Sequence, residues 1–435
     1  MLEILKHRTY RHLFLAQLIA LIGTGLATVA LGLLAYELAG ADAGSVLGTA
    51  LAIKMIAFVG LAPVAAAFAE RVPRRAMLVA LDLVRAGVAI LLPFVTEVWQ
   101  VYVLIFVLQA ASAGFTPAFQ ATIPDVLPDE KQYTRALSLS RLAYDLESAL
   151  SPMLAAALLT VISFHTLFAG TVFGFLASAA LVLTVTLPSP KPSVARGIYE
   201  RTTRGLRIYL ATPRLRGLLA LNLAIAAASA MVIVNTVVLV QAHFGLGQSE
   251  TALALTAYGL GSMTAALGLP RLLDKFSDRQ AMLAGTIVLV TGLLLGAAVA
   301  SYGILLVLWF ALGLGYSLAM TPAGRLLRRS SQPEDRPALF AAQFALSHAC
   351  WLITYPLSGW LGAEAGLAPT FIVLGVIGAV AVITASRLWP ADDPDEIEHV
   401  HAMLAHDHPH LAGGGHRHRH AFVIDSHHPE WPRAR

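Results

Sequence analysis

The C-terminal segment of the chain concentrates imidazole side chains that could bind a metal ion. Ten of the fifteen histidines follow residue 398, and most alternate as His-x-His. They are His399, His401, His406, His408, His410, His416, His418, His420, His427 and His428. Imidazole is a favoured ligand of nickel, zinc and copper, and it is mostly neutral at pH 7. Alternating residues of an extended chain point to one side, so the pattern predicts a metal-binding tail.

A run of three ionisable residues lies inside an apolar stretch, as Arg141-Leu-Ala-Tyr-Asp145-Leu-Glu147. A charged side chain in a bilayer is costly and is therefore a functional candidate. Arg141 and Asp145 share a helix face, whereas Glu147 points about 200° away from Asp145. We expect Asp145 or Glu147 to bind a cation and accept a proton, because a desolvated carboxylate can exchange one for the other near neutral pH. The alternative is a structural ion pair of Asp145 with Arg141.

Further polar side chains occur in other apolar stretches. His348 either binds a metal or relays protons, or it is a hydrogen-bonded packing residue. Lys54 requires a carboxylate partner or a water-filled cavity, and the sequence does not identify that partner. Asp82 and Arg85 are close enough to pair, which favours a structural role. The single cysteine, Cys350, excludes an internal disulfide and is expected to be a packing residue.

The composition indicates which elements position these residues. The 435 residues are 57% hydrophobic and 13% charged, about half the charge of a soluble domain. A membrane span needs roughly 20 apolar residues, and the first 390 residues accommodate twelve. The predicted spans are 12–37, 44–68, 76–96, 100–121, 137–160, 165–187, 217–241, 250–270, 282–301, 303–322, 338–361 and 366–388. The first follows a short basic segment without a cleavage site, so we expect a retained span.

The basic residues predict how these spans are oriented. Lysine and arginine occur in the loops after spans 2, 4, 6, 8 and 10, and the loops after the odd-numbered spans contain none. By the positive-inside rule, both termini are expected in the cytoplasm, as in a multi-pass protein of the bacterial inner membrane. The net charge of +4 is thereby explained without a nucleic-acid partner.

Two short motifs recur at nearly one separation. Thr116-Pro117-Ala118 returns as Thr321-Pro322-Ala323, 205 residues later, and Pro128-Asp129-Glu130 returns as Pro333-Glu334-Asp335. This repetition predicts a duplicated six-helix unit. We therefore expect an N-terminal half at 1–187, a cytoplasmic central loop at 188–216, a C-terminal half at 217–389 and a histidine-rich cytoplasmic tail at 390–435.

Two such halves, with the segment Glu70-Arg71-Val-Pro73-Arg74-Arg75 after span 2, resemble the major facilitator superfamily. Glu70 and Pro73 stand where that family usually has aspartate and glycine. A more degenerate second copy is Asp274-Lys275-Phe-Ser-Asp278-Arg279. The resemblance implies an all-α fold of two pseudo-symmetric halves. It also implies a gating role for the ion pairs of Glu70, Arg71, Arg74, Arg75, Asp274, Lys275, Asp278 and Arg279.

The segments Lys6–Gln17 and Asp82–Arg85 resemble bacterial exporters of the drug-proton-antiporter type, and the tail resembles that of nickel-resistance exporters. The resemblance implies proton-coupled efflux of a divalent cation, most specifically nickel, which confers metal resistance. The expected partners are lipid, the metal cation and protons, with the proton gradient as the energy source, no permanently bound cofactor and a monomeric state. No enzymatic activity is expected, and the sequence contains no Gly-x-x-x-x-Gly-Lys-Ser/Thr loop for ATP.

Two alternatives remain open at this point. The first is a proton-coupled exporter of organic molecules such as drugs or siderophores. The second is a membrane metal sensor that transports nothing.

Overall fold

The computed structural model describes residues 2–40, 43–69, 71–189, 197–394, 396–400, 417–425, 428 and 430–432. Within these ranges the chain forms fourteen α-helices and one antiparallel pair of strands. The helices of the N-terminal half are α1 (Arg8–Ala39), α2 (Ala43–Ala69), α3 (Arg74–Leu91), α4 (Val98–Val126), α5 (Glu130–Leu159) and α6 (Phe164–Leu183). After α7 (Ile198–Ala211) come α8 (Pro213–Val237), α9 (Gln248–Leu273), α10 (Asp278–Gly296), α11 (Tyr302–Met320), α12 (Ala323–Arg329), α13 (Arg336–Glu364) and α14 (Leu367–Leu388). The strands are β1 (Glu396–Val400) and β2 (Arg417–Ala421).

Twelve helices of the described chain are long and apolar enough to cross a membrane. Hydrocarbon offers no water to backbone N–H and C=O groups, so a spanning segment must satisfy them within itself, as a helix does. The helix starts carry local caps: the Asp129 carboxylate accepts a hydrogen bond from the backbone N–H of Gln132 at 2.8 Å, and Ser277 caps α10. The prediction of an all-α membrane fold with twelve spans is confirmed.

The repeated Thr-Pro-Ala motif adopts different backbone structures in the two halves. In the first half, α4 continues through Pro117 and Pro124 to Val126. In the second half, α11 ends at Met320 and the short helix α12 begins after Pro322. The same three residues are therefore accommodated either inside a helix or at a helix break.

The two halves meet mainly along two helix pairs, α2 with α13 and α5 with α9, and α4 also contacts α13. We call the end of the molecule at which α2, α4, α6, α9 and α11 finish the basic end. Near this end, Phe58 and Ala62 of α2 pack against Ala341 and Phe344 of α13. Leu51 continues the contact face of α2 away from the basic end and is 58% exposed. The halves are therefore closed together at the basic end, and the contact face of α2 is exposed beyond this contact.

The central segment contains a helix where the sequence predicted a polar loop. The buried face of α7 presents Arg201, Gly205, Ile208 and Tyr209. A Cβ at Gly205 would lie 2.0 Å from the Ala338 carbonyl oxygen, so α7 packs closely on α13. Burial of this face against α13 stabilises α7. Because its buried residues are not consecutive and include an arginine, the hydropathy of the sequence does not indicate this helix.

The described part of the tail rests on the C-terminal half at the basic end. β1 and β2 pair antiparallel, with His399 opposite His418 in the register. Beyond β2, Phe422 and Ile424 join a buried cluster that contains Tyr209. The apolar end of the tail is thereby docked rather than solvated.

Close packing of α9 on α11 yields the first testable prediction. A Cβ at Gly261 would lie 1.9 Å from the Phe310 carbonyl oxygen, whereas a Cβ at Gly268 of the same helix would meet nothing within 4 Å. Gly261→Ala should lower the melting temperature of the detergent-purified protein, because overpacking costs about 1–3 kcal/mol. Gly268→Ala is the matched control and should melt like the wild type. Equal melting of both variants would contradict the close approach.

Candidate functional site

A polar cluster joins α5 of one half to α9 and α11 of the other. Asp145, 5% exposed, forms an ion pair with Arg141. Ser262 of α9 donates its hydroxyl to Asp145 Oδ2 at 2.7 Å. Arg141 donates to the Ser262 hydroxyl at 3.2 Å, and its guanidinium lies 4.7 Å from the ring centre of Tyr316. We call these four residues the seam cluster, since they connect the two halves inside the span region.

Each carboxylate oxygen of Asp145 accepts a hydrogen bond within the seam cluster, one from Arg141 and one from Ser262. A buried ion pair is tolerated when further hydrogen bonds satisfy its remaining atoms, and removal of one partner costs about 3–5 kcal/mol. This arrangement fits the alternative in which Asp145 forms a structural ion pair with Arg141. The pair also contacts α9 and α11, so it joins the two halves.

A second group of ionisable residues lies around Lys54 of α2. An electrostatic interaction links Lys54 with Glu147 of α5, and another links it with His348 of α13. Lys54 makes no ion pair within 4.0 Å in the described part of the chain, and its ammonium lies 5.6 Å from the Phe58 ring centre. We call Lys54, Glu147 and His348 the central triad. It combines an ammonium, a carboxylate and an imidazole from both halves.

His348 is oriented by its own helix and by aromatic neighbours. Its Nδ1 lies 2.7 Å from the Phe344 carbonyl oxygen. A carbonyl can only accept, so this bond places a proton on Nδ1 and leaves Nε2 with a lone pair in the neutral ring. The ring centres of Phe58, Phe344 and Trp351 lie 4.9, 4.1 and 5.0 Å from that of His348. The imidazole is thus held in an aromatic surrounding with one nitrogen able to bind a cation or a proton.

Glu147 points toward α1 and away from the seam cluster. A Cβ at Gly25 would lie 2.6 Å from Glu147 Oε1 and 2.1 Å from Ser151 Oγ. Glycine at position 25 therefore leaves the space in which the Glu147 carboxylate and Ser151 lie. The two acids of α5 face different surroundings, as their angular separation on a helix predicts.

Asp82 and Arg85 form a separate buried ion pair within the N-terminal half. Ser178 donates to Asp82 at 2.8 Å, and the Arg85 guanidinium lies 3.9 Å from the Phe115 ring centre. All these partners belong to one half, so the pair stabilises that half internally.

Two ion clusters connect the halves at the basic end. Asp125, at the end of α4, pairs with Arg74 of its own half and with Arg336 of the other. Arg325 of α12 pairs with Asp278 at 2.8 Å within its half and with Glu130 across the contact.

The residues of the proposed gating loops are distributed unevenly among these clusters. Arg74 and Asp278 take part, whereas Arg71, Asp274 and Lys275 are exposed and Arg75 is half-buried. Arg279 instead donates to the Ser386 and Trp389 carbonyl oxygens at 3.2 and 3.0 Å, which fastens α10 to the end of α14. Glu70 lies outside the described residues.

Sequence reasoning missed Asp125 and Ser262 as candidates. Asp125 follows Pro124 at a helix end and reads as an ordinary loop acid. The closeness of Ser262 to Asp145 depends on which helices of the two halves face each other. Only the four-residue spacing of Arg141 and Asp145 signalled part of the seam cluster.

Three tail histidines lie close together in the described part of the tail. The ring centre of His420 is 5.1 Å from that of His418 and 5.2 Å from that of His428, whose Nδ1 lies 2.9 Å from Asp425 Oδ1. Among the described residues, no group of three or more His, Cys, Asp or Glu side chains has a metal-binding arrangement. Six predicted ligands, His401, His406, His408, His410, His416 and His427, lie outside the described residues, and His399 is described by its backbone alone.

The Major Facilitator Superfamily model matches residues 13–235 and 218–409. A Bacillus subtilis protein, "Uncharacterized MFS-type transporter YfiS", is 29% identical over 122 residues, 28% of this chain and 29% of that protein. "Macrolide efflux protein A" of Streptococcus pyogenes is 26% identical over 152 residues, 32% of this chain and 37% of that protein. The chain thus matches only about a third of the length of these relatives.

Two solved structures share the fold. The human organic anion transporter MFSD10 superposes with a TM-score of 0.76, and a bacterial homologue of the iron transporter ferroportin, in an outward-facing state, with 0.74. Each is 14% identical, with 87% of this chain and 99% of that chain covered. At this identity the likeness concerns the fold alone.

The Asp125 cluster yields a prediction about the closed basic end. Asp125→Asn removes the shared counter-charge of Arg74 and Arg336, so the halves should separate there more often. Maleimide labelling of Ala341→Cys, fully buried between the halves, should increase by more than about tenfold in a Cys350→Ala background, because removal of one partner from a buried ion pair costs about 3–5 kcal/mol. Asp392→Asn, which alters an exposed carboxylate at the same end, should leave labelling unchanged. Unchanged labelling of the Asp125 variant would refute the closing role.

Proposed function

The chain belongs to the major facilitator superfamily, and on this premise we propose that it exports a divalent transition-metal cation, nickel first, in exchange for protons. The loops at the basic end are cytoplasmic in this proposal, as the positive-inside rule requires. The described arrangement is then the outward-facing state of an alternating-access cycle, in which the halves rock about a central site.

The observation that carries the proposal is the position of the central triad. His348 contacts Phe58 and Phe344, which belong to the contact closed at the basic end, and Leu51 on the same face of α2 is exposed beyond it. A cargo at the triad is therefore separated from the cytoplasm and accessible from outside, as release by an exporter demands. Carboxylate and imidazole are also ligands that bind divalent transition metals.

In this proposal, exchange arises because the Lys54 ammonium, the cation and a proton compete for the Glu147 carboxylate. In the empty site, the Lys54 ammonium compensates the carboxylate. A cation from the cytoplasm displaces that ammonium and binds Glu147 together with His348 Nε2. A proton from outside then neutralises the carboxylate and releases the cation. One proton therefore enters for each cation that leaves. The seam cluster keeps α5 and α9 together during this exchange.

In this proposal the tail acts on the cytoplasmic side of the membrane. Phe422 and Ile424, which follow the described hairpin, dock at the basic end, and with that end in the cytoplasm this docking supports a role of the nearby His418, His420 and His428 at the cytoplasmic side. The proposed role of the tail is to collect metal ions there. Transport itself belongs to the central triad.

A second candidate is export of an organic cation or neutral molecule. The relatives whose name is macrolide efflux protein A favour it. So does the indole N–H of Trp351, which is buried without a hydrogen-bond partner in the described part of the chain. This donor beside an aromatic wall suits an organic acceptor better than a metal ion.

Transport in inverted vesicles tests the two candidates. Wild-type vesicles with an acidic lumen should accumulate nickel, and Glu147→Gln should abolish accumulation because the amide cannot take up or release the proton. Glu364→Gln, which changes an exposed carboxylate in the same span as His348, should transport normally. Nickel accumulation by Glu147→Gln would overturn the exchange mechanism. Movement of a macrolide but not nickel would establish the second candidate.

Substitution of the tail histidines tests the collecting role separately. Replacement of His399, His401, His406, His408, His410, His416, His418 and His420 by asparagine leaves the docked Phe422 and Ile424 in place. The apparent KM for nickel should rise while the maximal rate stays unchanged, since the central triad is intact. Phe422→Ser is the comparison that disturbs docking without removing a ligand. Complete loss of transport in the asparagine variant would contradict an accessory role.

A further inference from the structure

A cavity of about 420 Å³ lies between the two halves at the basic end. It is separate from the central triad and from the tail. Its lining includes Lys131, Thr134 and Arg135 of α5, Leu267 and Arg271 of α9, and Arg325 of α12. Both halves therefore build this cavity, and its shape depends on their closure.

The cavity has an excess of positive charge. Its lining contains four cationic side chains and one carboxylate, that of Asp274. Arg325 is engaged by Glu130 and Asp278, and Arg135 has Glu3 at 3.8 Å. Two further cations, one from each half, face the same space.

These two cations are Lys131 and Arg271. Neither forms an ion pair within 4.0 Å in the described ranges of the chain. The N-terminus of α5, which begins at Glu130, adds its positive helix dipole on the side of Lys131. A phosphate-sized anion in this cavity would be attracted by both cations, and the existing ion pairs of Arg325 and Arg135 would not have to be displaced.

An apolar stripe leads along α9 to the cavity. Leu253, Leu260 and Leu267 recur every seven residues and are 51%, 52% and 56% exposed. Residues at this spacing share one helix face, and Arg271 follows Leu267 on the same face. The stripe is about 21 Å long at 1.5 Å per residue, which matches an extended acyl chain. The site thus joins an anion pocket to a lipid-facing apolar surface.

We propose that this cavity binds the phosphate headgroup of an anionic phospholipid between Lys131 and Arg271, with an acyl chain along the leucine stripe. Because one cation comes from each half, the bound headgroup stabilises the arrangement that is closed at the basic end. The ligand is therefore a regulator of the conformational equilibrium, independent of which cargo the central triad carries.

Retention of defined lipids by the intact protein tests the site. The protein is incubated with equimolar phosphatidylglycerol and phosphatidylcholine, and retained lipid is measured by native mass spectrometry. The wild type should prefer phosphatidylglycerol, and Lys131→Gln with Arg271→Gln should reduce that preference by up to about 25-fold, at about five-fold per cation. The control is Arg216→Gln with Arg387→Gln, which removes two exposed charges from the same end outside the cavity. It should retain the wild-type preference.

Two outcomes would overturn the proposal. Equal phosphatidylglycerol preference in the wild type and the cavity variant would show that the cavity does not bind the headgroup. Displacement of phosphatidylglycerol by millimolar inorganic phosphate, with the same dependence on Lys131 and Arg271, would show that free phosphate is the ligand instead.

A conformational measurement separates regulation from binding alone. Spin labels on Gln132→Cys and Phe276→Cys, in the Cys350→Ala background, report the separation of α5 and the loop after α9. Phosphatidylglycerol should shift the distance distribution of the wild type toward the short population and leave that of the cavity variant unchanged. Equal shifts in both would refute stabilisation of the closed end through these two cations.

Discussion

An ionised side chain in hydrocarbon has no water to solvate it, and this constraint decides where charge lies in the structure. Asp145 and Arg141 occupy the contact between the halves because Ser262 and Tyr316 of the other half satisfy their remaining atoms. Asp82 and Arg85 compensate each other's charge in the same way, but inside one half. Burial therefore sorts the intramembrane charges into two kinds, those that stabilise a half and those that join the halves. The second kind is sensitive to relative motion of the halves, and this is what alternating access requires.

The basic end uses one electrostatic arrangement twice, with the signs exchanged. In the N-terminal half the cation Arg74 stands at the start of α3 and the acid Asp125 at the end of α4. In the C-terminal half the acid Asp278 stands at the start of α10 and the cation Arg325 follows α11. Each pair also takes a partner from the opposite half. The contact of Arg325 with Glu130 across the halves involves a carboxylate that is 62% exposed. Exposed ion pairs contribute little individually, so this contact can be broken and remade in each cycle.

The sequence predicts the fold well because hydropathy and loop charge are local properties. The twelve spans follow from stretches of apolar residues, and their order needs no knowledge of contacts. The site depends on contacts. Lys54 and Glu147 lie more than ninety residues apart, and nothing local states that α2 and α5 bring them within electrostatic range. Likewise, nothing local states that β1 pairs with β2 or that Phe422 joins the buried cluster of α7 and α8, and the burial of α7 depends on α13.

The central triad gives a reason for a lysine, Lys54, near the Glu147 carboxylate that is proposed to exchange a cation for a proton. After the proton leaves Glu147 toward the cytoplasm and before the next cation arrives, the carboxylate would be an uncompensated charge in a low-dielectric surrounding, which is costly. Lys54 offers an internal counter-charge for that interval, so the deprotonated site can persist until a cation binds. Lys54 also sets a threshold, because a cargo must interact with Glu147 more strongly than the ammonium does. A divalent cation meets this requirement through its charge and through His348 Nε2, whereas a monovalent inorganic ion gains no such advantage. The lysine is then a selectivity element of the proposed site as well as a substitute for the cargo.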